Sequence, residues 1–180
     1  MSRSAPQIFD AVSVTREATQ ALLPQRPPLL LVDVICGLGR GPQPALRASY
    51  RIAGDEPVLA GHFPGLPLWP GSYTIEGLAQ SCALLGGLLG AHALGNAPLA
   101  LPATWVTGVE GVPAAAPFSP LLCAVDVKLL HPVVPPAELL YEVVLTHVVG
   151  AICRFDATAL CERRAVAHGV LSVASSEAPR

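Results

Sequence analysis

Between Tyr73 and Ala93 the chain carries a single Asp, Glu, Lys or Arg, Glu76, and no proline, although the 180 residues include 19 prolines. A helix through this stretch would be apolar or small on both faces, and a helix apolar all round is one enclosed by protein. The rest of the chain must therefore surround it. Hydrophobic residues make up 52% and charged residues 13%, which suits a chain that buries much of itself in a core or against other subunits. Pro70 stops regular structure ahead of the stretch, and Gly71-Ser72 supplies a start with Ser72 as the N-cap. Leu78 to Leu101 is apolar enough to attract attention as a membrane span. Gln80, His92, Asn96 and Pro98 interrupt it, however, and a bilayer needs about 20 uninterrupted apolar residues. A buried soluble helix fits better, with no membrane partner.

Around this helix the pattern is one of strands. Residues 1 to 20 read as a lead-in with a short helix starting near Thr15, and Ala21 to Pro28 as a proline-punctuated turn. Leu29 to Leu38 (LLLVDVICGL) is an apolar, β-branched run that predicts a strand. Ala45 to Ile52 alternates, with Leu46, Ala48, Tyr50 and Ile52 on one side and Arg47, Ser49 and Arg51 on the other, which predicts a half-exposed strand. A loop dense in Gly and Pro, Ala60 to Gly71, then feeds the helix. Asn96 to Pro120 reads as an insertion-like excursion, with a short strand at Trp105 to Val109. From Leu121 onward come strands: LLCAVDVKLL, then LLYEVVLTHVV after HPVVPPAE, then ICRFDATAL past a Gly150 turn, and AVAHGVLSVA past an Arg163-Arg164 turn. Strands, one long helix and more strands predict an α+β fold with an antiparallel sheet around the helix.

Charge and cysteine content narrow the function. A net charge of −2 with scattered basic residues offers no basic face for nucleic acid. The five cysteines are odd in number and widely spaced among apolar neighbours, and read as buried reduced thiols. The first 20 residues lack the apolar stretch of a secretory signal, so a cytoplasmic location is expected. His92, His131, His147 and His168 stand apart from any metal-ligand spacing, and no metal is expected.

The chemistry concentrates between Gly61 and Gln80, GHFPGLPLWPGSYTIEGLAQ. Glycines and prolines fix the backbone on either side of His62, and proton transfer depends on geometry before it depends on pKa. The loop delivers a helix N-terminus, whose free N–H groups and dipole can stabilise an oxyanion. Glu76 follows in the first turns of the helix, where a carboxyl among apolar neighbours finds a partner or has its pKa raised. On residue types and spacing alone, His62 fits a hydrogen-bonding strut as well as a base. Glu76 likewise fits a carboxylate answering the helix dipole.

This segment resembles the GHFPxxPxMPGxxxxEAxAQ motif of the FabZ-type (3R)-hydroxyacyl-acyl-carrier-protein dehydratases, which have the hotdog fold. Leu22 to Asp33 (LLPQRPPLLLVD), Val127 to Leu145 (VKLLHPVVPPAELLYEVVL) and Arg163 to Ala174 (RRAVAHGVLSVA) are similar to further family segments, in the same order. The resemblance implies one hotdog domain over residues 21–175, with a lead-in over 1–20 and a tail over 176–180. It implies that His62 takes the α-proton of a 3-hydroxyacyl thioester, that Glu76 protonates the departing hydroxyl, and that the Gly71 N–H binds the thioester carbonyl. It places Phe63, Trp69, Gly77 and Gln80 along the acyl path. It further implies an acyl-carrier protein or coenzyme A as carrier, no cofactor, and a homodimer or trimer of dimers whose active sites are shared between protomers. Five positions depart from the family pattern: Gln25 for His, Trp69 for Met, Gly77 for Ala, and Pro136-Ala137 for Gly-Asp. The expected reaction is dehydration in fatty-acid or related polyketide or polyene synthesis, with a bell-shaped pH profile. The alternatives are a hotdog acyl-thioesterase and a non-catalytic acyl-binding partner subunit.

Overall fold

A computed structural model describes residues 8–40, 43–92 and 118–177. Among these, seven strands form one antiparallel sheet: β1 (Ile8–Ala11), β2 (Val34–Arg40), β3 (Ala45–Ile52), β4 (Phe118–Leu129), β5 (Ala137–Val149), β6 (Ile152–Cys161) and β7 (Arg164–Glu177). Their order across the sheet is β1-β2-β3-β5-β6-β7-β4. A short helix α1 (Arg16–Ala21) precedes β2, and the long helix α2 (Gly71–His92) lies between β3 and β4 in sequence. α2 packs against β3, β4, β5, β6 and β7. This is the expected α+β arrangement, with the sheet wrapped around one enclosed helix.

Period-two patterning sets which face of the sheet meets α2. Leu139, Tyr141 and Val143 of β5 are buried, as are Phe155, Ala157 and Ala159 of β6 and Leu46, Ala48 and Ile52 of β3. They close on Leu78, Cys82, Leu84, Leu85 and Leu88 of α2. Two tight turns fix the hairpin registers. Glu162 and Arg163, both at positive φ, join β6 to β7, as a two-residue turn of matching twist requires. Gly150, at φ +57°, joins β5 to β6. On the outer side of the sheet Arg47 of β3 pairs with Glu142 of β5.

Several expectations change. The strand predicted over Leu29 to Leu38 begins only at Val34. Leu30, Leu31 and Val32 are buried as expected of a strand, but the Leu31 N–H donates to the Gln80 side chain (2.9 Å). Burial there comes without a ladder. Ser72 is not the N-cap: the helix begins at Gly71, and the Pro70 carbonyl accepts from the Tyr73 and Thr74 N–H groups. That leaves Ser72 exposed within the first turn. The helix near Thr15 is present, with the Thr15 hydroxyl accepting from the Ala18 N–H. Residues 8–11, read as lead-in, form the edge strand β1. Of the five free cysteines, Cys82 is buried and Cys123 is exposed, with Cys36, Cys153 and Cys161 between; a strand at the sheet edge cannot enclose Cys123. The proposed strand at Trp105 to Val109 and most of the 96–120 excursion lie outside the described residues. Phe118 to Pro120 open β4.

Tyr141 carries a polar anomaly in the core. Its ring is fully buried, burial pushes its phenol well above the ordinary value, and its hydroxyl has no hydrogen-bond partner among the described residues. A buried hydroxyl left unpaired costs about 1–3 kcal/mol. Tyr141→Phe is therefore expected to leave stability unchanged or raise it by about 1 kcal/mol, read as the urea midpoint at constant m.

Candidate active site

The loop after β3 is built to hold one ring. A short 3-10 turn, Pro57–Ala60, ends at Gly61. The chain then folds back, with the Leu68 N–H donating to the His62 carbonyl (2.9 Å) and Phe63 and Leu66 exchanging backbone hydrogen bonds at 2.9 Å each. Within this closed loop His62 Nδ1 lies 3.0 Å from the Leu68 carbonyl. A carbonyl oxygen can only accept, so Nδ1 carries the proton and Nε2 presents its lone pair. The ring of Phe63 stacks on that of His62, with centroids 4.2 Å apart. The Trp69 N–H donates to the Val133 carbonyl (2.9 Å), tying the loop to the segment that follows β4.

His62 opens onto a cleft of about 270 Å³ lined by Leu68, Trp69, Gly71, Thr74, the 129–133 segment and Val166. Gly71 is the first residue of α2, so its N–H has no partner in the helical ladder and is available at the positive end of the helix dipole. A Cβ at this position would strike the Leu129 side chain of β4. Glycine therefore lets β4 close the cleft against the helix start. The cleft thus offers an imidazole acceptor and a free backbone donor on apolar walls, a pairing suited to removing a proton beside a carbonyl.

Glu76 stands in the second turn of α2, half-buried, and is not among the residues lining this cleft. It is held by Gln80, one turn on. The Gln80 amide donates to Glu76 Oε1 (2.8 Å) and to the Leu29 carbonyl (2.7 Å), while its oxygen accepts from the Leu31 N–H. With every strong donor and acceptor engaged and 1% exposure, Gln80 fixes the carboxyl over the Leu29–Leu31 segment.

The residues expected along the acyl path separate in space. Trp69 lines the cleft, 4% exposed, its ring 5.6 Å from Tyr50 and 5.4 Å edge-on from Tyr73. Its indole Nε1 is buried without a partner among the described residues. Phe63 is 51% exposed. Gly77 faces the Tyr141 ring, which occupies the place a Cβ would take. Sequence reasoning did not single out Leu68, whose carbonyl sets the imidazole tautomer, nor Thr74 and the 129–133 wall. Leu68 had a signal, since a loop this rich in Gly and Pro must close on itself. The wall comes from strands distant in sequence and had none. His131, at the cleft mouth, accepts from Arg164 Nη2 at Nδ1 (3.0 Å). Among the described residues no three His, Cys, Asp or Glu side chains gather as a metal site, and no helix is long and apolar enough to cross a membrane.

Comparison with known proteins agrees with this geometry. Residues 23–110 match the FabA-like domain family. The chain is 34% identical over 153 residues to the 3-hydroxyacyl-[acyl-carrier-protein] dehydratase FabZ of Anaeromyxobacter sp., covering 84% of each. It is 32% identical over 164 residues to the enzyme of the same name from Sulfurovum sp., covering 91% of this chain and 95% of the relative. Among solved structures, the dehydratase heterocomplex ApeI:P from Xenorhabdus doucetiae superposes with a TM-score of 0.62 at 15% identity, over 89% of this chain and 91% of that one. A hot-dog-like protein from Thermanaerovibrio acidaminovorans superposes with a TM-score of 0.51 at 15% identity, over 74% and 82%. The sheet-wrapped helix is thus a hotdog fold, and the chain belongs to the FabZ family of 3-hydroxyacyl-[acyl-carrier-protein] dehydratases.

Proposed function

We propose that this chain removes water from a 3-hydroxyacyl thioester on acyl-carrier protein, giving the trans-2-enoyl thioester. The observation that carries the reading is the Nδ1–H of His62 pinned to the Leu68 carbonyl in a cleft that also holds Gly71. Nε2 takes the proton from C2 of the substrate. The charge that develops on the thioester oxygen is met by the Gly71 N–H and the helix dipole. Glu76 gives its proton to the C3 hydroxyl, which leaves as water as the C2–C3 double bond forms. Proton return from the imidazolium to the carboxylate resets the pair. Both proton transfers are supplied by side chains, so the reaction calls for no cofactor and no metal.

Glu76 lies outside the His62 cleft of its own chain, and this supports a site completed by the partner subunit's Glu76. β4 supports the same reading. Among the described residues it ends the sheet, and Leu121, Leu122, Val125 and Leu129 on it are 41–57% exposed, an apolar edge suited to a second copy. We read the assembly as a homodimer or trimer of dimers, working in the cytoplasm in fatty-acid or related polyketide or polyene synthesis. The test is incubation with 3-hydroxyacyl-acyl-carrier proteins, read by mass. Loss of one water from the carrier-bound acyl group is expected. Release of free carrier thiol would make the chain a thioesterase, and an unchanged mass across the series would overturn the assignment.

A further inference from the structure

We propose that Tyr141 sets acyl length in this enzyme, closing the groove along α2 one helical turn beyond the cleft so that the site takes short 3-hydroxyacyl groups. The inference rests on the dehydratase reading above. Gly71 and Thr74, three residues apart, line the cleft, and residues so spaced are neighbours on a helix surface. The next position in that row is Gly77, about 4.5 Å further along the axis at a rise of ~1.5 Å per residue. A glycine there leaves a notch in the helix surface, and an open notch would extend the groove inward. It is instead filled by the Tyr141 ring, which stands where a Cβ at Gly77 would be. The ring has little room to swing aside. It is fully buried and projects from the middle of β5, where Tyr141 is registered against Ala48 of β3 and Ala159 of β6.

Trp69 reinforces the closure from the cleft side. Trp69 lines the cleft and its ring packs on Tyr50 and Tyr73, so an acyl chain pushing inward from His62 meets Trp69 first and the Tyr141 ring beyond it. From Gly71 to Gly77 is about 9 Å along the helix, and the reacting carbons use the first part of it. Both Trp69 and Gly77 are departures from the motif the segment resembles; Trp69 sits in an aromatic cluster with Tyr50 and Tyr73, and Gly77 faces the Tyr141 ring.

The experiment compares kcat/KM of the full chain on carrier-bound 3-hydroxybutyryl, 3-hydroxyhexanoyl, 3-hydroxyoctanoyl and 3-hydroxydodecanoyl groups, with Tyr141→Leu and Tyr141→Phe beside wild type. Wild type is expected to lose about tenfold or more between the hexanoyl and dodecanoyl substrates, the scale on which an apolar pocket discriminates size. Tyr141→Leu, folded by thermal melt, should raise the dodecanoyl-to-butyryl ratio about tenfold. Tyr141→Phe keeps the ring and should keep the wild-type order of substrates. Wild-type turnover undiminished at dodecanoyl, or a folded Tyr141→Leu with an unchanged ratio, overturns the inference and leaves the dehydratase reading standing. Should Tyr141→Leu not fold, Tyr141→Met replaces it with the same two outcomes. No turnover at any length overturns the dehydratase reading, and this inference falls with it.

Discussion

Replacing His62 by alanine is expected to lower kcat on a 3-hydroxyacyl-acyl-carrier protein by about 10²- to 10⁴-fold, the usual contribution of a positioned general base. The loop should survive the change. Its closure depends on the Leu68 N–H to His62 carbonyl bond and the Phe63–Leu66 pair, all backbone, while the imidazole adds its bond to Leu68 and its stacking on Phe63. Glu76→Gln is expected to cost a similar factor for a different reason. The amide keeps the shape and still accepts from Gln80, but it has no carboxyl proton to give. The two variants together test where the site is completed. When each protein is inactive alone, mixed and reassembled equal amounts should recover about a quarter of wild-type sites if His62 and Glu76 come from different protomers of a two-fold dimer. A site built within one chain would recover none. Steady-state rates before and after reassembly, with both single variants confirmed folded, decide between these outcomes.

The second large effect concerns the strand that walls the cleft. Gly169 of β7 is registered against Val127 of β4. A Cβ at Gly169 would collide with the Asp126 carbonyl oxygen and come within 2.6 Å of Val127 Cα, which is backbone and cannot rotate away. Gly169→Ala therefore requires β4 and β7 to separate or slip. Overpacking of this kind costs typically 1–3 kcal/mol, and with backbone as the obstacle a loss of about 3 kcal/mol is expected. For a chain of this size that lowers Tm by about 6–12 °C. Because β4 runs directly into the 129–133 segment lining the cleft, activity below the melting point should fall too. A thermal melt paired with a rate measurement at 25 °C checks both, and a Tm within 2 °C of wild type would contradict the geometry.

What could be read before folding followed the residues whose neighbours are local. Ala45 to Ile52 alternates cleanly and is a strand with those bounds. Pro70 marked the start of α2 within a residue. The run from Leu29 to Val32 misled because its apolar character reports burial alone, and its backbone is satisfied by the Gln80 amide, 49 residues away from Leu31. β1 was missed because four edge residues with an exposed Ile8 leave almost no periodic trace. In the site, His62, Gly71 and Trp69 shared a cleft because one short loop carries them all. The relation of Gly77 to Tyr141, and of Gly71 to Leu129, depends on strand register fixed elsewhere in the sheet. A glycine in sequence says that something comes close, not what. Gln80 was placed along the acyl path, and the sequence did not reveal that its side chain clamps Glu76 to the segment before β2.

The apolar edge of β4 has a consequence for how this protein exists at low copy number. Among the described residues β4 ends the sheet, with Leu121, Leu122, Val125 and Leu129 exposed on it. If copies cover one another there, as in the proposed dimer, the apparent stability of the assembly rises with protein concentration by mass action. Dilution alone should then loosen the wall of the cleft before it disturbs β5 and β6 at the centre of the sheet. A newly made chain is also at its most vulnerable to wrong strand partners in the interval before it meets a second copy.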